Sequence, residues 1–442
     1  MGKQNFGLVG QAREELVKRF LGRKHAQPAA PDGLPATATN YSAIPESFYR
    51  FDRFPGYEKL LVPQAAARRL GIENPFFKTH EGAAGATTQI DGRAFINFSS
   101  YNYLGLSSHP RVNKAAKDAI ERYGTSASAS RLVAGERPVQ RELEETLAHS
   151  YDVEDCLVFV SGHATNVTTI GYLFGSKDLV VHDSLIHNSV IEGIKLSGAT
   201  RRAFPHNDAA ALDAILSDIR GQFERVLIVI EGLYSMDGDI PDLPRFVEVK
   251  RRHKAFLMVD EAHSFGVLGA RGMGIREHFD LPGRDVDIWM GTLSKSLAGC
   301  GGYIAGERAL VEHLKYAAPG FVYSVGMSPP LAAAALEALT ILRNEPERAH
   351  RLRERAGRFL ELARGKGIDT GLTQGYAVIP AIIGSSLKAT RASQQLFARG
   401  INVQPIIHPA VEERAARLRF FVSCMHSEEQ IRAAVDALAT VL

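Results

Sequence analysis

Short apolar runs alternate with amphipathic stretches of helical length through the middle of the chain. Helices fit residues 111–123 and 136–150, and strands fit 156–160, 179–181, 226–230, 256–259 and 286–290. The segments between the strands are long enough for crossover connections, which is the pattern of a mostly parallel sheet covered on both faces. The sequence therefore predicts an α/β fold in which ligands bind beyond the carboxyl ends of the strands.

The pattern changes after Ser328-Pro-Pro330. A long helical run at 331–366 is followed by apolar strands at 377–383, 401–407 and 417–423 and by a last helix at 427–442. This order predicts a smaller α+β domain at 331–442, after a large domain at 101–330.

The region before the large domain divides into two parts. Residues 9–24 place apolar side chains on one helical stripe, and an Ala- and Pro-rich stretch follows, so 1–40 are predicted to be a helix and a linker. The stripe favours packing on the body of the protein, and docking onto a partner is the alternative. In the N-terminal segment, 41–100, residues 87–98 alternate as a hairpin does, with Asp91-Gly92 as its tight turn.

Composition narrows the class of protein. With 442 residues, 45% of them hydrophobic, and a net charge of +3, the chain has material for a large core and gives no argument for nucleic-acid or membrane partners. No apolar run reaches the roughly 18 residues that span a bilayer, and the N-terminus lacks the apolar core of a secretory signal. The three cysteines lie far apart without CxxC spacing, which argues against a disulfide framework or a cysteine zinc site and fits a reducing cytoplasm.

A lysine follows the last strand of the α/β region, in Gly291-Thr-Leu-Ser-Lys-Ser296. The amine of Lys295 suits a Schiff base with the aldehyde of pyridoxal phosphate, and the hydroxyls around it suit the phosphate. The motif alone is weak, because most lysines in such loops are simply solvated. Its weight comes from a second motif upstream.

That second motif is the apolar strand Phe256-Leu-Met-Val followed by Asp260-Glu-Ala-His263. Asp260 is placed to pair with the pyridinium nitrogen of the cofactor, and His263 with its ring hydroxyl. Asp-Glu-Ala-His also occurs in helicases, but a helicase needs a GxxxxGK[ST] phosphate loop, and the sequence has none. The lysine and the aspartate together therefore favour pyridoxal phosphate.

Three further strand ends carry polar residues. Ser161-Gly-His-Ala-Thr-Asn166 opens a helix, and the free N–H groups of a helix start form an anion site. In His182-Asp-Ser-Leu-Ile-His187, His187 is suited to stack on a flat ring and bind a substrate carboxylate, whereas a metal site is a poor interpretation because no third ligand cluster accompanies it. Ser235, in the acidic Gly-rich turn Glu231–Asp239, is suited to a hydrogen bond with the cofactor.

In this order and spacing, these motifs resemble the α-oxoamine synthases, fold-type-I pyridoxal-phosphate enzymes that include 8-amino-7-oxononanoate synthase and serine palmitoyltransferase. The match runs from about Phe95 to the C-terminus and includes the segments 98–106, 124–131 and 416–419. Segments 51–106 and 403–419 most resemble members that work beside polyketide synthases, which take acyl groups from a carrier protein.

The resemblance implies a role for each candidate residue. Lys295 is the Schiff-base lysine and the base that removes the Cα proton, Asp260 keeps the ring nitrogen protonated, and His187 stacks on the ring. The other cofactor contacts are Gly162, His163, Ser235, His263 and Thr292. The substrate contacts are Asn102, Ser130 and Arg419, of which Arg419 suits a bidentate grip on the amino-acid carboxylate.

The sequence departs from the family pattern at three positions. Ile407-His408-Pro409 stands where several members have an Arg-Pro-Pro stretch, and the sequence leaves open whether His408 or another group replaces that arginine, which 5-aminolevulinate synthases also lack. Ala410 replaces a substrate-contacting threonine. Val325 replaces the threonine that reaches the phosphate from the other subunit, and Ser324 is the candidate substitute.

The residue before Arg131 bears on the amino substrate. Members restricted to glycine carry threonine there, and Ser130 leaves room for alanine or serine. One methyl group discriminates by only about 1–3 kcal/mol, so glycine also stays open.

The implied protein is a cytoplasmic homodimer that condenses alanine, serine or glycine with an acyl thioester, on coenzyme A or on an acyl carrier protein. The products are an α-amino ketone, CO2 and a free thiol. Two alternatives remain, another fold-type-I activity such as an aminotransferase or an aldolase-type lyase, and a non-catalytic subunit of a synthase complex. The presence of Lys295 argues against the second.

Overall fold

The computed structural model describes residues 44–442, so the predicted helix at 9–24 and its linker lie outside the described residues. The chain divides into two compact units, Met1–Gly71 and Ile72–Leu442. In the described part of the first unit, two short 3-10 turns precede helix α1, Pro55–Arg69. Proline fits this first helical position because it has no N–H to leave unpaired.

The second unit contains the remaining described helices and strands. Its helices are α2 (Pro110–Tyr123), α3 (Pro138–Tyr151), α4 (Gly162–Leu173), α5 (Asn188–Ser197), α6 (Ala209–Ile219), α7 (Leu243–His253), α8 (Gly274–His278), α9 (Arg308–Ala317), α10 (Pro319–Val322), α11 (Pro329–Asn344), α12 (Glu347–Gly365), α13 (Ser386–Ala398) and α14 (Glu428–Val441). Its strands are β1 (Thr87–Ile90), β2 (Arg93–Asn97), β3 (Asp155–Phe159), β4 (Leu179–Asp183), β5 (Thr200–Phe204), β6 (Val226–Glu231), β7 (Phe256–Asp260), β8 (Ile288–Thr292), β9 (Gly302–Gly306), β10 (Val378–Ile382), β11 (Ile401–Asn402), β12 (Gln404–Ile406) and β13 (Arg417–Phe421).

Seven strands form the large sheet, in the order β3-β9-β8-β7-β6-β4-β5. All neighbours are parallel except β9, which runs antiparallel to β3 and β8. Because β4, β6, β7 and β8 run the same way, their carboxyl ends meet at one edge. This confirms the predicted α/β fold and places the candidate residues together.

Both faces of this sheet are buried except at the edge strand β5, since alternate residues of the other six strands enter different cores. Cys156 and Val158 of β3 join the core packed against α3, α7 and α11. Leu157 and Phe159 join the core packed against α4, α5 and α9. Near-continuous apolar strands are the consequence of burial on both faces.

Two three-stranded sheets complete the second unit, in the orders β10-β13-β12 and β1-β2-β11. A separate core lies among α12, α13, α14 and the strands β10 and β13. The predicted hairpin is confirmed, with Asp91 and Gly92 both at positive φ, 50° and 72°, as its tight turn requires. The predicted boundary between a large and a small domain at residue 330 stays a prediction.

Several element predictions need correction. Strands β5 and β9 were not expected from the pattern, and the helical run 331–366 is two helices separated at Glu345-Pro346. The strand expected at 401–407 is divided between β11 and β12, which belong to different sheets. No helix within residues 44–442 is long and apolar enough to cross a membrane.

Candidate active site

A cavity of about 240 Å³ lies at the carboxyl ends of β4, β6, β7 and β8. All the cofactor residues predicted from the sequence line it: Gly162, His163, His187, Ser235, Asp260, His263, Thr292 and Lys295. Across the described ranges, no group of His, Cys, Asp and Glu side chains has the arrangement of a metal site.

One end of the cavity is built for an anion. Helix α4 begins there, and the amides of Gly162 and His163 have no intrahelical acceptor at this position. Thr292 Oγ1 donates to the Gly301 carbonyl at 3.0 Å. It also lies close to Gly162, because a Cβ added to this glycine would stand 2.8 Å from Thr292 Oγ1. Only glycine therefore lets the helix start approach the hydroxyl so closely, and a phosphate fits between them.

The other end is centred on Asp260, the last residue of β7. Its carboxylate accepts from Asn166 Nδ2 at 2.9 Å and from the Ala262 amide at 2.9 Å. Asn166 also donates to Ser189 Oγ at 2.8 Å, and Ser189 contacts His187 Nδ1 at 2.7 Å. One chain of hydrogen bonds thus orients both the aspartate and the histidine predicted to contact the ring.

His187 is the N-cap of α5, and burial lowers the pKa of its imidazole below the ordinary value. A neutral imidazole suits stacking on a heteroaromatic ring. His263 is also buried, and burial followed by the field of Lys295 lowers its pKa well below the ordinary value. The Tyr103 hydroxyl lies 2.8 Å from His263 Nδ1 and fixes the orientation of this ring.

Lys295 follows β8 and is nearly enclosed. Burial lowers the pKa of its amine to about 8, against the opposing effect of Asp260 and Glu231. Its Nζ lies 5.7 Å from the centre of the Tyr101 ring. Burial thus favours the neutral amine, the form that attacks a carbonyl.

The loop after β6 is held by two arginines of β13. Arg417 donates to the Met236 carbonyl at 3.0 Å and pairs with Asp237 at 2.6 Å. Arg419 donates to the Ser235 carbonyl at 3.1 Å, while its Nε is buried without a partner among the described residues. Arg419 therefore keeps a donor for a further acceptor, as a carboxylate-binding arginine requires.

His206 holds the same loop from the side of the large sheet. Its ring contacts Asp183 Oδ1 at 2.9 Å and Asp239 Oδ2 at 2.8 Å. Although burial opposes charge, these two carboxylates raise the pKa of His206 to about 10. A cationic imidazole therefore joins the end of β4 to the end of the loop.

Asn102 lies in the wall of a second cavity, of about 400 Å³, which shares Ser294 and Lys295 with the first. Its amide donates to the Ala84 carbonyl at 2.7 Å and accepts from the amides of Leu106 and Ser107. The side chain thus holds the turn that forms this wall.

The remaining predicted contacts lie away from both cavities. Ser130 donates to the Val322 carbonyl at 2.7 Å, and Ser324 and Val325 border Arg131 rather than the cofactor residues. His408 is exposed and receives no contact from the cavity. Nothing within residues 44–442 brings these residues to Lys295.

Sequence reasoning missed several groups that build the site. Asn166 and Ser189 were passed over because neither residue type indicates chemistry by itself, although Asn166 closes the motif after β3. Glu231 received no role from the sequence, yet it lines the cavity beside Asp260. Tyr101 lines the second cavity with its ring centre 5.7 Å from Lys295 Nζ, a position that only the folded chain reveals.

Comparison with known proteins gives consistent matches. The sequence profile of the aminotransferase class I and II family matches residues 93–438. The 8-amino-7-oxononanoate synthase of Thermoanaerobacter pseudethanolicus is 38% identical over 82% of this chain and 91% of its own length. The enzyme of the same name from Symbiobacterium thermophilum is 41% identical over 80% and 89%.

Solved structures give the same picture. The serine palmitoyltransferase of Sphingomonas wittichii is 28% identical, with a TM-score of 0.84, over 88% of this chain and 97% of that one. A structure of SPT with its PLP internal aldimine is 28% identical, with a TM-score of 0.83, over 87% and 97%. The predictions of a fold-type-I architecture and of pyridoxal phosphate are confirmed.

Proposed function

We propose, since this chain belongs to the class I and II aminotransferase family and within it to the α-oxoamine synthases, that its amino substrate is alanine and that its acyl donor carries a pantetheine arm. The reaction is a decarboxylative condensation that uses pyridoxal phosphate and releases CO2 and a free thiol. The observation that carries the proposal is the position of Lys295 between a cavity built for the cofactor and a second cavity beside it.

The cofactor supplies an aldehyde for the amine and a ring that draws electrons from the bond to be broken. The amides of Gly162 and His163, with the hydroxyl of Thr292, would hold the phosphate. Asp260 would keep the ring nitrogen protonated, and its two N–H donors hold the carboxylate in place for this.

Lys295 is suited to move the proton from the Cα atom of the amino acid. At pH 7.5 an amine with a pKa of about 8 is roughly one-quarter neutral, whereas an ordinary lysine is neutral in about one molecule in a thousand. The neutral fraction sets how much base is present once the amino acid has displaced Lys295 from the cofactor. Burial therefore supports the role that the resemblance gives this residue.

The choice of alanine follows from the relatives. Their named product, 8-amino-7-oxononanoate, has its amine on the carbon next to the terminal methyl and its ketone on the following carbon. An amine-bearing carbon with one methyl is alanine without its carboxyl group. The free Nε of Arg419 is suited to the carboxylate of this alanine.

The lining of the second cavity supports the proposal that the acyl donor carries a neutral arm. Apart from Lys295, its described lining has no Lys, Arg, Asp or Glu, and it consists of hydroxyl, amide and small side chains with one imidazole, His80. Such a surface suits the amides of a pantetheine chain better than a diphosphate or a bare alkyl chain. Coenzyme A and acyl carrier proteins both end in this arm, so both are candidate donors.

A homodimer is part of the proposal. Two chain segments that are joined where the Gly326 amide donates to the Ala129 carbonyl carry four exposed apolar side chains, those of Leu132, Val133, Tyr323 and Val325. A second copy that covers this patch would also place its own Ser324 at the interface, as the candidate for the phosphate contact from the other subunit. Sedimentation of the protein and of Val133→Lys tests this, and a dimer unaffected by the lysine would place the interface elsewhere.

The decisive experiment is a visible absorbance titration of the purified protein with glycine, alanine and serine, each with and without an acyl thioester. We expect a yellow protein whose visible band shifts at a lower concentration of alanine than of glycine or serine. CO2 should be released only when the thioester is present. Acyl-CoA, acyl-N-acetylcysteamine and acyl carrier protein are compared as donors. Equal rates with all three donors at equal concentration would refute the pantetheine site, and release of CO2 without thioester would refute the condensation.

Lys295→Ala should abolish both the visible band and the reaction, because the covalent link to the cofactor is lost. Lys388→Ala, at an exposed lysine, is the matched control and should leave both unchanged. An unchanged band in Lys295→Ala would refute the assignment of this lysine.

A further inference from the structure

His206 does not line the cofactor cavity, yet it connects two of the segments that do. It follows β5, and both nitrogens of its ring meet carboxylates. Nδ1 lies 2.9 Å from Asp183 Oδ1, and Nε2 lies 2.8 Å from Asp239 Oδ2. Because a carboxylate only accepts hydrogen bonds, both ring nitrogens must donate, and only the cationic form of histidine has two donors. The hydrogen bonds alone therefore make His206 a cation.

The first connection runs from His206 to His187. Asp183 is the last residue of β4, and its Oδ1 also accepts from the Leu185 amide at 2.8 Å. Its Oδ2 accepts from the Asn207 amide at 2.8 Å. The Asp183 carboxylate is thus held on one side by His206 and Asn207. On the other side it fixes the turn that leads to His187, the N-cap of α5.

The second connection runs from His206 to Ser235. The Asp239 carboxylate accepts from His206 and, at 2.7 Å, from Asn207 Nδ2. The Asp239 carbonyl accepts from the Tyr234 amide at 2.9 Å, and the next residue is Ser235, which lines the cavity. The Tyr234 ring also packs edge-on against the His206 ring, with the two centroids 4.4 Å apart. A displaced His206 would therefore displace the residue that precedes Ser235.

The charge of His206 is set by the groups around its ring. Within residues 44–442, the ionisable groups in contact with it are Asp183, Asp239 and Tyr234. Burial raises the pKa of Tyr234 well above the ordinary value, so this phenol stays neutral. Asp208 points elsewhere, because its carboxylate accepts from the Ala211 amide at 2.8 Å. Although burial opposes charge, the two carboxylates raise the pKa of His206 to about 10.

We propose that His206 is a positioning residue that fixes two cofactor contacts, His187 and Ser235, at once. It does so as one cation shared by Asp183 and Asp239. The inference rests on the proposed function, in which His187 and Ser235 contact the cofactor. The backbone hydrogen bonds between β4 and β6 align the strands but do not reach the segments beyond their ends. The shared cation joins those segments without touching the cofactor itself.

The first test measures the dissociation constant for pyridoxal phosphate by equilibrium dialysis, without amino acid or thioester. His206→Gln offers one donor group and no charge, so it cannot hold both carboxylates. It should weaken cofactor binding about five- to tenfold, on the order of one hydrogen bond to the cofactor.

His253→Gln is the matched control for this test. His253 Nε2 contacts Asp213 Oδ1 at 2.7 Å, which is a second pair of histidine and carboxylate, and it joins α7 to α6 away from the cavity. This variant should leave the cofactor affinity unchanged. Equal losses of affinity in His206→Gln and His253→Gln would overturn the proposal.

A double variant separates positioning from a general loss of structure. In the Ser235→Ala background, His206→Gln should cost less cofactor affinity than it does in the wild type, because one of the contacts that it positions is already absent. Losses that add fully would show that His206 does not act through Ser235 and would overturn the proposal.

The shared charge also predicts a dependence on pH. Asp239→Asn leaves Asp183 as the one carboxylate on the ring, so the pKa of His206 should fall from about 10 toward its ordinary value. Below that pKa both ring nitrogens donate, and as the pH rises through it one donor is lost. The ratio of the cofactor dissociation constants of Asp239→Asn and wild type should therefore rise about fivefold between about pH 6 and pH 9. The same ratio for His206→Gln should stay constant, and a constant ratio for Asp239→Asn would overturn the proposal.

Another readout needs no cofactor. In nitrogen NMR spectra of the unloaded protein with isotope-labelled histidine, the signals that His206→Gln removes should report two protonated ring nitrogens at neutral pH. An unprotonated nitrogen there would overturn the proposal, and this readout on wild type and Asp239→Asn keeps the test valid if His206→Gln does not fold. None of these measurements uses an amino acid or a thioester. A condensation that fails while cofactor affinity follows His206 would therefore count against the proposed function alone.

Discussion

Glu261, the residue after Asp260, should limit the stability of this protein as the pH rises. It is fully buried, with Oε1 accepting from the Ile275 amide at 2.7 Å and Oε2 from the Tyr151 hydroxyl at 3.2 Å. Burial outweighs these hydrogen bonds and raises the pKa of Glu261 to about 8. The perturbation is Glu261→Gln, which keeps the acceptor for Ile275 and cannot ionise.

The magnitude follows from the difference between the folded and unfolded pKa values. Below about pH 4 both states hold the proton, and the full stability is present. As the pH rises toward 8, the unfolded chain ionises while the folded chain does not, so the free energy of unfolding falls by about 1.4 kcal/mol per pH unit. Between about pH 6 and pH 9 the wild type should therefore lose about 3 kcal/mol more than Glu261→Gln.

The assay is urea unfolding followed by tryptophan fluorescence, since the single tryptophan, Trp289, is fully buried 5.3 Å from Tyr151. With an m-value of about 3 kcal/mol/M, the urea midpoints of wild type and Glu261→Gln should diverge by about 1 M between pH 6 and pH 9. Glu312→Gln, at an exposed helix position, is the control and should follow the wild type. Midpoints of wild type and Glu261→Gln that fall in parallel would refute the reasoning.

Three further predictions concern the candidate site. Gly162→Ala should weaken cofactor binding by about tenfold, because its Cβ would crowd Thr292 Oγ1; equilibrium dialysis measures this. The control is Gly357→Ala, where a Cβ meets open space, and an equal loss of cofactor binding in this variant would contradict the prediction. Arg419→Lys should raise the KM for the amino acid about tenfold with a smaller effect on kcat, since an ammonium cannot match the bidentate geometry of a guanidinium. An unchanged KM would show that Arg419 does not bind the substrate. His206→Gln should cost about 2–4 kcal/mol of unfolding free energy at neutral pH, because the charged bridge is then intact, and the cost should shrink as the pH rises toward 10. A cost of His206→Gln that does not change with pH would argue against a cationic imidazole.

The cofactor residues could be predicted from the sequence because each lies within a few residues of an apolar strand end. Parallel strands bring such ends to one edge whatever the details of packing, and Asp260, Lys295 and His187 line one cavity there, as the pattern predicts. The strands β5 and β9 were missed for opposite reasons. Strand β5 is a sheet edge with mostly exposed side chains, and β9 begins and ends with glycine because the sheet has no room for a Cβ there.

The partners of the site residues could not be predicted from the sequence. Tyr103 meets His263 across 160 positions of sequence, and Asn166 meets Asp260 across 94. Tyrosine and asparagine occur throughout the chain, so only the fold singles out these two. The acidic residue at 231 stood within a recognised motif, but its burial beside a second carboxyl depends on the register between neighbouring strands.

Burial shifts the pKa values of the ionisable side chains around Lys295 in a consistent way. Burial lowers the pKa of His187, of His263 and of Lys295 itself, and it raises that of Glu231. Each of these shifts favours the neutral form, which leaves two charged groups acting on the cavity: Asp260, which is held by two N–H donors, and the Arg419 guanidinium. In the proposed reaction, Asp260 would compensate the charge of a protonated ring nitrogen. Desolvation, more than ion pairing, thus supplies the neutral amine at Lys295 that the proposed base requires.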